Sequence, residues 1–102
     1  MKVRWTGRAL AHMREIRDYI AADSPAAAER MISALFESAA RLRRFPEAGR
    51  PAGEWKGRPY RELIEPPYRI LYEIQRDTVF VLAVIHGRRD IARLIAQWKG
   101  QP

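Results

Sequence analysis

The spacing of apolar residues changes once along this chain, and that change limits the possible folds more than any other feature of the sequence. From Tyr60 onward, apolar and polar residues alternate, which is the spacing of a half-buried strand. Before residue 46, apolar residues recur every three or four positions, the spacing of one face of a helix; the first such series is Ala9, Met13, Ile16 and Ile20. Helices followed by strands indicate an α+β domain.

Two helices are predicted in the first half, because a capping residue precedes each apolar series. Thr6 precedes the first helix, and Ser24 followed by Pro25 begins the second. A hydroxyl accepts a hydrogen bond from a free amide of the first turn, and proline is tolerated at the first helical position. The second helix must end before Pro46. The short link between the two helices predicts an antiparallel hairpin.

Strands are predicted in the second half, where turn residues divide the apolar segments. Breaks at Pro66-Pro67 and Arg76-Asp77 give three strands, at residues 60–65, 68–75 and 78–86. The last of them is almost entirely apolar, as expected of a central strand that is covered on both faces. Short connections between consecutive strands predict an antiparallel meander.

The termini add two short elements, and together these segments define the expected architecture. A weak strand is predicted at residues 2–5, and a short helix capped by Asp90 at residues 91–98. The expected fold is α+β, a two-helix antiparallel hairpin packed on a small antiparallel sheet with a short C-terminal helix. A chain of this length forms a single domain, residues 1–102.

Several classes of protein are excluded by residues that the sequence lacks. It has no cysteine, which excludes disulfides, thiolate metal sites and cysteine nucleophiles. With only His12 and His86, we expect no metal site, and nothing indicates a cofactor. No apolar run approaches the roughly 18–20 residues of a membrane span, and the N-terminus shows no secretory signal. We therefore expect a cytoplasmic protein without a membrane partner.

The charge is informative about partners. Nineteen basic residues against twelve acidic ones give a net charge of +7, and sixteen of the nineteen are arginine. Because arginine pairs bidentately with carboxylates and phosphates, this bias suggests an anionic partner, either nucleic acid or an acidic protein segment. The alternative is codon bias in a GC-rich genome.

The candidate binding residues lie on the predicted sheet. Arg69 alternates with apolar residues, so packing of those residues on the helices places Arg69 on the opposite, open face. Arg61 shares that face in one of two registers. With His86 and Arg88 at its edge, the face would be basic and suited to phosphate or an acidic peptide. The alternative is that Arg61 and Arg69 pair with carboxylates of neighbouring strands, namely Glu62, Glu65 and Glu73.

The same residues allow a catalytic interpretation. A ribonuclease needs an acid and a base at the reacting oxygens and cations for the phosphate charge. On this interpretation His86 and either Glu65 or Glu73 supply the acid and base, and the cations are Arg61, Arg69 and Arg88. The alternative for His86 is a capping or packing role at a strand end.

Residues 46–59 form a predicted loop that contains one tryptophan. Six glycines and prolines in this segment exclude regular structure, and the length exceeds that of most connections in compact domains. Trp55 within it is either a lid on the core or an exposed anchor for a partner. His12, beside the apolar stripe of the first helix, is interpreted as a partly buried surface residue.

Several segments follow one another in a specific order and spacing over nearly the whole chain. In the first half these are Trp5-Thr6, Tyr19-Ile20-Ala21, Asp23-Ser24-Pro25-Ala26-Ala27-Ala28, Phe45-Pro46 and Gly49-Arg50. In the second half they are Arg61-Glu62-Leu63, Tyr68-Arg69-Ile70-Leu71-Tyr72 and Val84-Ile85-His86-Gly87-Arg88-Arg89-Asp90. Together these segments resemble the RelE/ParE superfamily of bacterial toxins.

The resemblance implies the toxin of a type II toxin–antitoxin system. RelE-like members cut mRNA in the ribosome, whereas ParE-like members inhibit DNA gyrase. His86-Gly87-Arg88-Arg89-Asp90 matches the ParE-like ending of the last long strand, and residues 95–102 lack the tyrosine or His-Tyr of RelE-like tails. The loop carries one lysine, Lys56, instead of a cluster. The expected function is thus gyrase inhibition and growth arrest without catalysis. The alternatives are a ribosome-dependent mRNA endoribonuclease and a degenerate toxin kept for binding its antitoxin.

The resemblance also implies a cognate antitoxin in a hetero-oligomeric complex. A chain of charge +7 should be bound by an acidic segment that folds on binding. We expect contacts along the helix hairpin and the sheet. The predicted partner-binding residues are Arg61, Arg69, His86, Arg88, Arg89 and Trp55.

Overall fold

The computed structural model describes residues 1–55, 57–87 and 91–98. Its elements in chain order are β1 (Lys2–Trp5), α1 (Gly7–Ala21), α2 (Pro25–Ala40), a 3-10 turn (Arg41–Arg43), β2 (Arg50–Pro51), β3 (Arg61–Glu65), β4 (Tyr68–Gln75), β5 (Thr78–His86) and α3 (Ile91–Trp98). The predicted order of elements is confirmed. The described residues add two short elements, the 3-10 turn that follows α2 and β2, a two-residue strand in the segment predicted as a loop.

Both helices of the hairpin begin at the predicted caps. The Thr6 hydroxyl accepts a hydrogen bond from the amide of Ala9, and the Ser24 hydroxyl accepts one from Ala27, each at 3.1 Å. Pro25 opens α2. The cap predicted for α3, Asp90, lies outside the described residues. No helix in the described part of the chain is both long enough and apolar enough to cross a membrane.

The five strands form one mixed sheet in the order β1-β5-β4-β3-β2. The strands β3, β4 and β5 make the predicted antiparallel meander. β1 pairs in parallel with β5, on the edge that the meander leaves open. The crossover that this parallel pair requires begins with the helix hairpin and returns to β5 through β2, β3 and β4.

The hairpin packs on one face of the sheet. Ala9 and Met13 of α1 and Leu35 of α2 meet Ile70 and Val84 in the main core. A bulge in the β4–β5 pairing sets Leu71 opposite Ala83 but Tyr72 opposite Val81. The alternation of β5 therefore shifts by one residue, so Val81 and Val84 both face the helices.

The other face of the sheet is also covered, by residues of the 50–60 segment and by α3. Ala52, Tyr60 and Leu94 pack there on Leu71 and Ala83. The expectation of an open basic face is therefore wrong. The prediction that β5 is covered on both faces is confirmed, since seven of its nine residues are buried.

Candidate partner-binding site

Arg69 does not lie on an open surface but in a buried ion pair. Its side chain is 8% exposed, and its Nε donates to Oε1 of Glu62 at 2.7 Å. Its Nη2 contacts the same oxygen and also donates to Oε1 of Glu54 at 3.0 Å. Burial acts to lower the pKa of Arg69, but the hydrogen bonds and charges of Glu54 and Glu62 outweigh it and raise the pKa. Arg69 is thus a cation whose charge is already balanced.

Glu62 joins this pair to the protein surface. It is 5% exposed, and its Oε2 accepts a hydrogen bond from Nε of Arg50 at 2.7 Å. The Arg50 side chain is 68% exposed. We call Arg50, Glu54, Glu62 and Arg69 the ion-pair cluster; it contains two cations and two anions. The alternative interpretation of the sequence, in which Arg61 and Arg69 pair with carboxylates of neighbouring strands, is confirmed for Arg69 and Glu62. Arg61 instead lies beside Glu47, which is not in a strand.

Arg61 lies on the opposite face of the sheet from Arg69. It stands opposite Tyr72, which faces the helices, whereas Arg69 stands opposite Ile64 on the other face. The Nη1 of Arg61 donates to the carbonyl oxygen of Gly49 at 2.7 Å, and its Nη2 lies 3.6 Å from Oε1 of Glu47. The prediction that Arg61 and Arg69 share a face is therefore wrong.

His86 also lies on the face opposite to that of Arg69. It is the last residue of β5 and stands opposite Tyr68, with the two rings in edge contact at a centroid distance of 5.5 Å. Arg88 and Arg89, which complete the predicted set, lie outside the described residues. The structure therefore does not bring Arg61, Arg69 and His86 together at one site.

Trp55 is half-buried and packs as part of the cover over the second face. Its ring lies 6.2 Å from that of Tyr60, and it contacts the cluster that contains Ala52 and Leu94. Of the two interpretations of Trp55, this geometry favours the lid on the core. Its role in binding a partner stays a prediction.

His12 has a structural role that the sequence did not reveal. Its Nδ1 accepts a hydrogen bond from the amide of Val84 at 3.1 Å, and the Thr6 hydroxyl donates to the carbonyl oxygen of Leu82 at 3.2 Å. Two side chains near the start of α1 thus satisfy main-chain groups of β5 beyond the end of β1. The contact joins residues 72 positions apart, and no local pattern signals such a pairing.

A groove on the outer side of the hairpin combines apolar and basic side chains. Leu10 and Phe36 are 38% and 40% exposed, which is unusual for large apolar residues of a packed hairpin. They border a cleft of about 180 Å³ together with Met13, Arg14, Arg17 and Ile32. An apolar floor with arginines at its border suits an amphipathic segment that carries carboxylates.

The described residues offer no metal-binding chemistry. Among them, no group of three histidine, cysteine, aspartate or glutamate side chains is placed to hold a metal ion. Two features of the described surface suit binding of a partner: the apolar, arginine-bordered groove and the partly exposed ion-pair cluster.

Comparison with known proteins identifies the family. A family described as the ParE toxin of the type II toxin–antitoxin system parDE matches residues 3–91. Toxin RelE2 of Caulobacter vibrioides is 42% identical over 86% of this chain and 97% of its own length. Putative toxin Y4kP of Sinorhizobium fredii is 39% identical over 87% of this chain and 91% of its own.

A solved structure shows the same fold. A chain of the chromosomal ParDE system of P. aeruginosa superposes with a TM-score of 0.73 at 23% identity, over 85% of this chain and 96% of that one. The family match spans most of the protein, including both helices of the hairpin and, apart from Lys2, the five strands of the described sheet. This chain belongs to the ParE toxin family of type II toxin–antitoxin systems, within the RelE/ParE superfamily.

Proposed function

We propose that this toxin is neutralised by a cognate antitoxin and arrests growth by inhibiting DNA gyrase, without cutting RNA. The observation that carries the choice of target is the state of Arg69. Glu54 and Glu62 already balance its charge, and its side chain is 8% exposed. An arginine that two carboxylates of its own chain already hold binds a phosphate in a transition state only in competition with them.

The other candidate groups for RNA cleavage are also separated. Cleavage requires an acid, a base and cations around one phosphate. Arg61 donates to the Gly49 carbonyl on the helix face, and the Tyr68 ring packs against the edge of His86. These residues therefore hold the fold together, which leaves binding as the mode of action that the described geometry supports.

Two features support the antitoxin as a partner. The net charge of +7 favours an acidic segment, and the groove beside Leu10 and Phe36 offers apolar anchors next to Arg14 and Arg17. A segment that folds on binding can cover both the groove and the edge of the sheet. The structural neighbour from P. aeruginosa comes from a ParDE toxin–antitoxin system.

The target is tested with purified toxin in a DNA supercoiling assay. We expect loss of supercoiling and accumulation of cleaved DNA at micromolar toxin, both reversed by the antitoxin encoded beside the toxin. Unchanged supercoiling at that concentration would reject gyrase as the target.

An mRNA endoribonuclease is the second candidate, because the 42% identical relative carries the name RelE2. Primer extension on mRNA from cells that express the toxin would then show cuts within reading frames. If the wild-type toxin cuts mRNA and a folded His86→Ala variant does not, this candidate is established and the proposal of a non-enzymatic toxin is overturned.

A further inference from the structure

The ion-pair cluster and several apolar side chains line the same cleft. The cleft has a volume of about 250 Å³, and Ile64, Pro66 and Pro67 line it together with Arg69 and Glu54. Ile64 is 47% exposed, and both prolines are exposed. An exposed apolar wall next to a guanidinium is the arrangement that receives a carboxylate flanked by apolar side chains.

The two carboxylates that hold Arg69 differ in their surroundings. Glu62 is 5% exposed, lies within β3, and uses one oxygen for Arg69 and the other for Arg50. Glu54 is 35% exposed and lies outside the strands, between Ala52 and Tyr60. A buried pair is costly to break, whereas an exposed one contributes little. Glu54 is therefore the carboxylate that an incoming acidic group can replace.

We propose that Glu54 holds the position on Arg69 that a carboxylate of the antitoxin takes in the complex. The antitoxin then binds this cleft by displacing Glu54 from Arg69. The inference rests on the proposed function and assigns to it a specific contact. The displaced Glu54 moves into water, the partner's carboxylate takes its position on Nη2 of Arg69, and the adjoining apolar side chain covers Ile64.

Charge decides which partner fits the cleft. A second copy of this chain would bring two molecules of charge +7 together, which long-range repulsion disfavours. An acidic segment is attracted by the same charge and supplies the carboxylate that the cleft needs. Before binding, Glu54 competes for Arg69, so the toxin's apparent affinity is lower than it would be with the position vacant.

Glu54→Gln tests the proposal, with Glu47→Gln as its matched control. Each variant replaces a carboxylate that contacts an arginine by a neutral amide. Glu47 differs from Glu54 because it is 77% exposed and lies beside Arg61, on the opposite face of the sheet from Arg69. Calorimetry with the purified antitoxin from the adjacent reading frame should show binding about two- to fivefold tighter for Glu54→Gln. Glu47→Gln should stay within about twofold of wild type.

Ile64→Ser gives a second measurement, since this exposed residue can be replaced without disturbing the fold. It should weaken antitoxin binding by about three- to tenfold through lost apolar contact. Replacing Arg69 itself would remove the buried partner of Glu62 and leave only the exposed Arg50 to pair with it, so that variant would test mainly folding.

Each outcome bears on the proposal. If Glu54→Gln lowers the affinity for the antitoxin or leaves it unchanged, Glu54 serves only to hold its own loop, and the proposal is overturned. Conversion of a toxin dimer to a monomer by Ile64→Ser would show that a second copy occupies the cleft, and would also overturn it. Absence of antitoxin binding by the wild-type toxin would contradict the proposed function itself.

Discussion

A single tyrosine holds the segment after the hairpin against the sheet. Tyr72 is fully buried; its hydroxyl donates to the Pro46 carbonyl and accepts from the Gly49 amide, each at 2.8 Å. Gly49 permits this approach, because a Cβ there would lie 2.6 Å from the hydroxyl. Tyr72→Phe leaves both main-chain groups without a partner and should lower the free energy of unfolding by about 1–3 kcal/mol in urea at pH 7. As a control, Tyr19→Phe, at a residue 75% exposed, should change it by less than about 0.5 kcal/mol.

The same residue predicts a pH dependence of stability. Burial raises the pKa of Tyr72 above its ordinary value of 10.0, against the opposing hydrogen bond from Gly49. The contribution of neutral Tyr72 is therefore complete below the unfolded pKa and is lost as the pH rises through the higher folded pKa. Burial also raises the pKa of Tyr60. The Tyr72→Phe variant should therefore still lose some stability as the pH rises. Urea unfolding from pH 8 to 11 measures this, and equal losses for wild type and Tyr72→Phe would contradict the assignment.

At the scale of single elements, the helices of the hairpin depend on their caps. The Ser24 hydroxyl accepts from the Ala27 amide, so Ser24→Ala should destabilise the protein by about 1 kcal/mol. Ser33→Ala is the matched control, because Ser33 is exposed within α2 and alanine has the higher helix propensity. In thermal unfolding, the Tm of Ser33→Ala should therefore equal or exceed that of wild type, and the Tm of Ser24→Ala should be lower. The reverse ranking would exclude the cap as the start signal of α2.

The elements that the sequence predicts correctly are those with local signals. Caps at Thr6 and Ser24 and the turn at Arg76-Asp77 act within a few residues, and the structure has all three. The parallel pairing of β1 with β5 has no local signal, since it joins the start of the chain to residues near 80. The bulge in the β4–β5 pairing is likewise invisible in the sequence, yet it determines which residues of β5 face the helices.

The candidate site was less predictable because it depended on which face of the sheet is covered. Register places Arg61 and Arg69 on opposite faces, and the alternation within each strand does not determine register. One feature of the sequence does indicate that the Arg69 face of the sheet is covered. A strand as apolar as residues 79–85 needs protein on both faces, and therefore excludes an open face beside Arg69. Applying that constraint together with Trp55 would have placed the 50–60 segment over the sheet.

At the scale of the whole molecule, the net charge of +7 is distributed over both layers. Arg14 and Arg17 border the groove on the hairpin, whereas Arg4 of β1 is exposed on the opposite face of the sheet. Long-range attraction depends on the sum of these charges, but contact depends on where they lie. The two contributions can be separated by reversing one charge at a time.

We expect antitoxin affinity to fall as salt rises, because the screening length shrinks from about 10 Å at 0.1 M to about 3 Å at 1 M. Arg17→Glu and Arg4→Glu lower the net charge equally, so they should slow association to a similar extent. Only Arg17→Glu places a like charge against the acidic segment in the groove, and it should weaken binding on the order of tenfold beyond Arg4→Glu. Surface plasmon resonance at low and high salt separates the association rate from the dissociation rate. Equal affinities for the two variants would remove the groove as the contact, and affinity independent of salt would make codon bias the better explanation of the sixteen arginines.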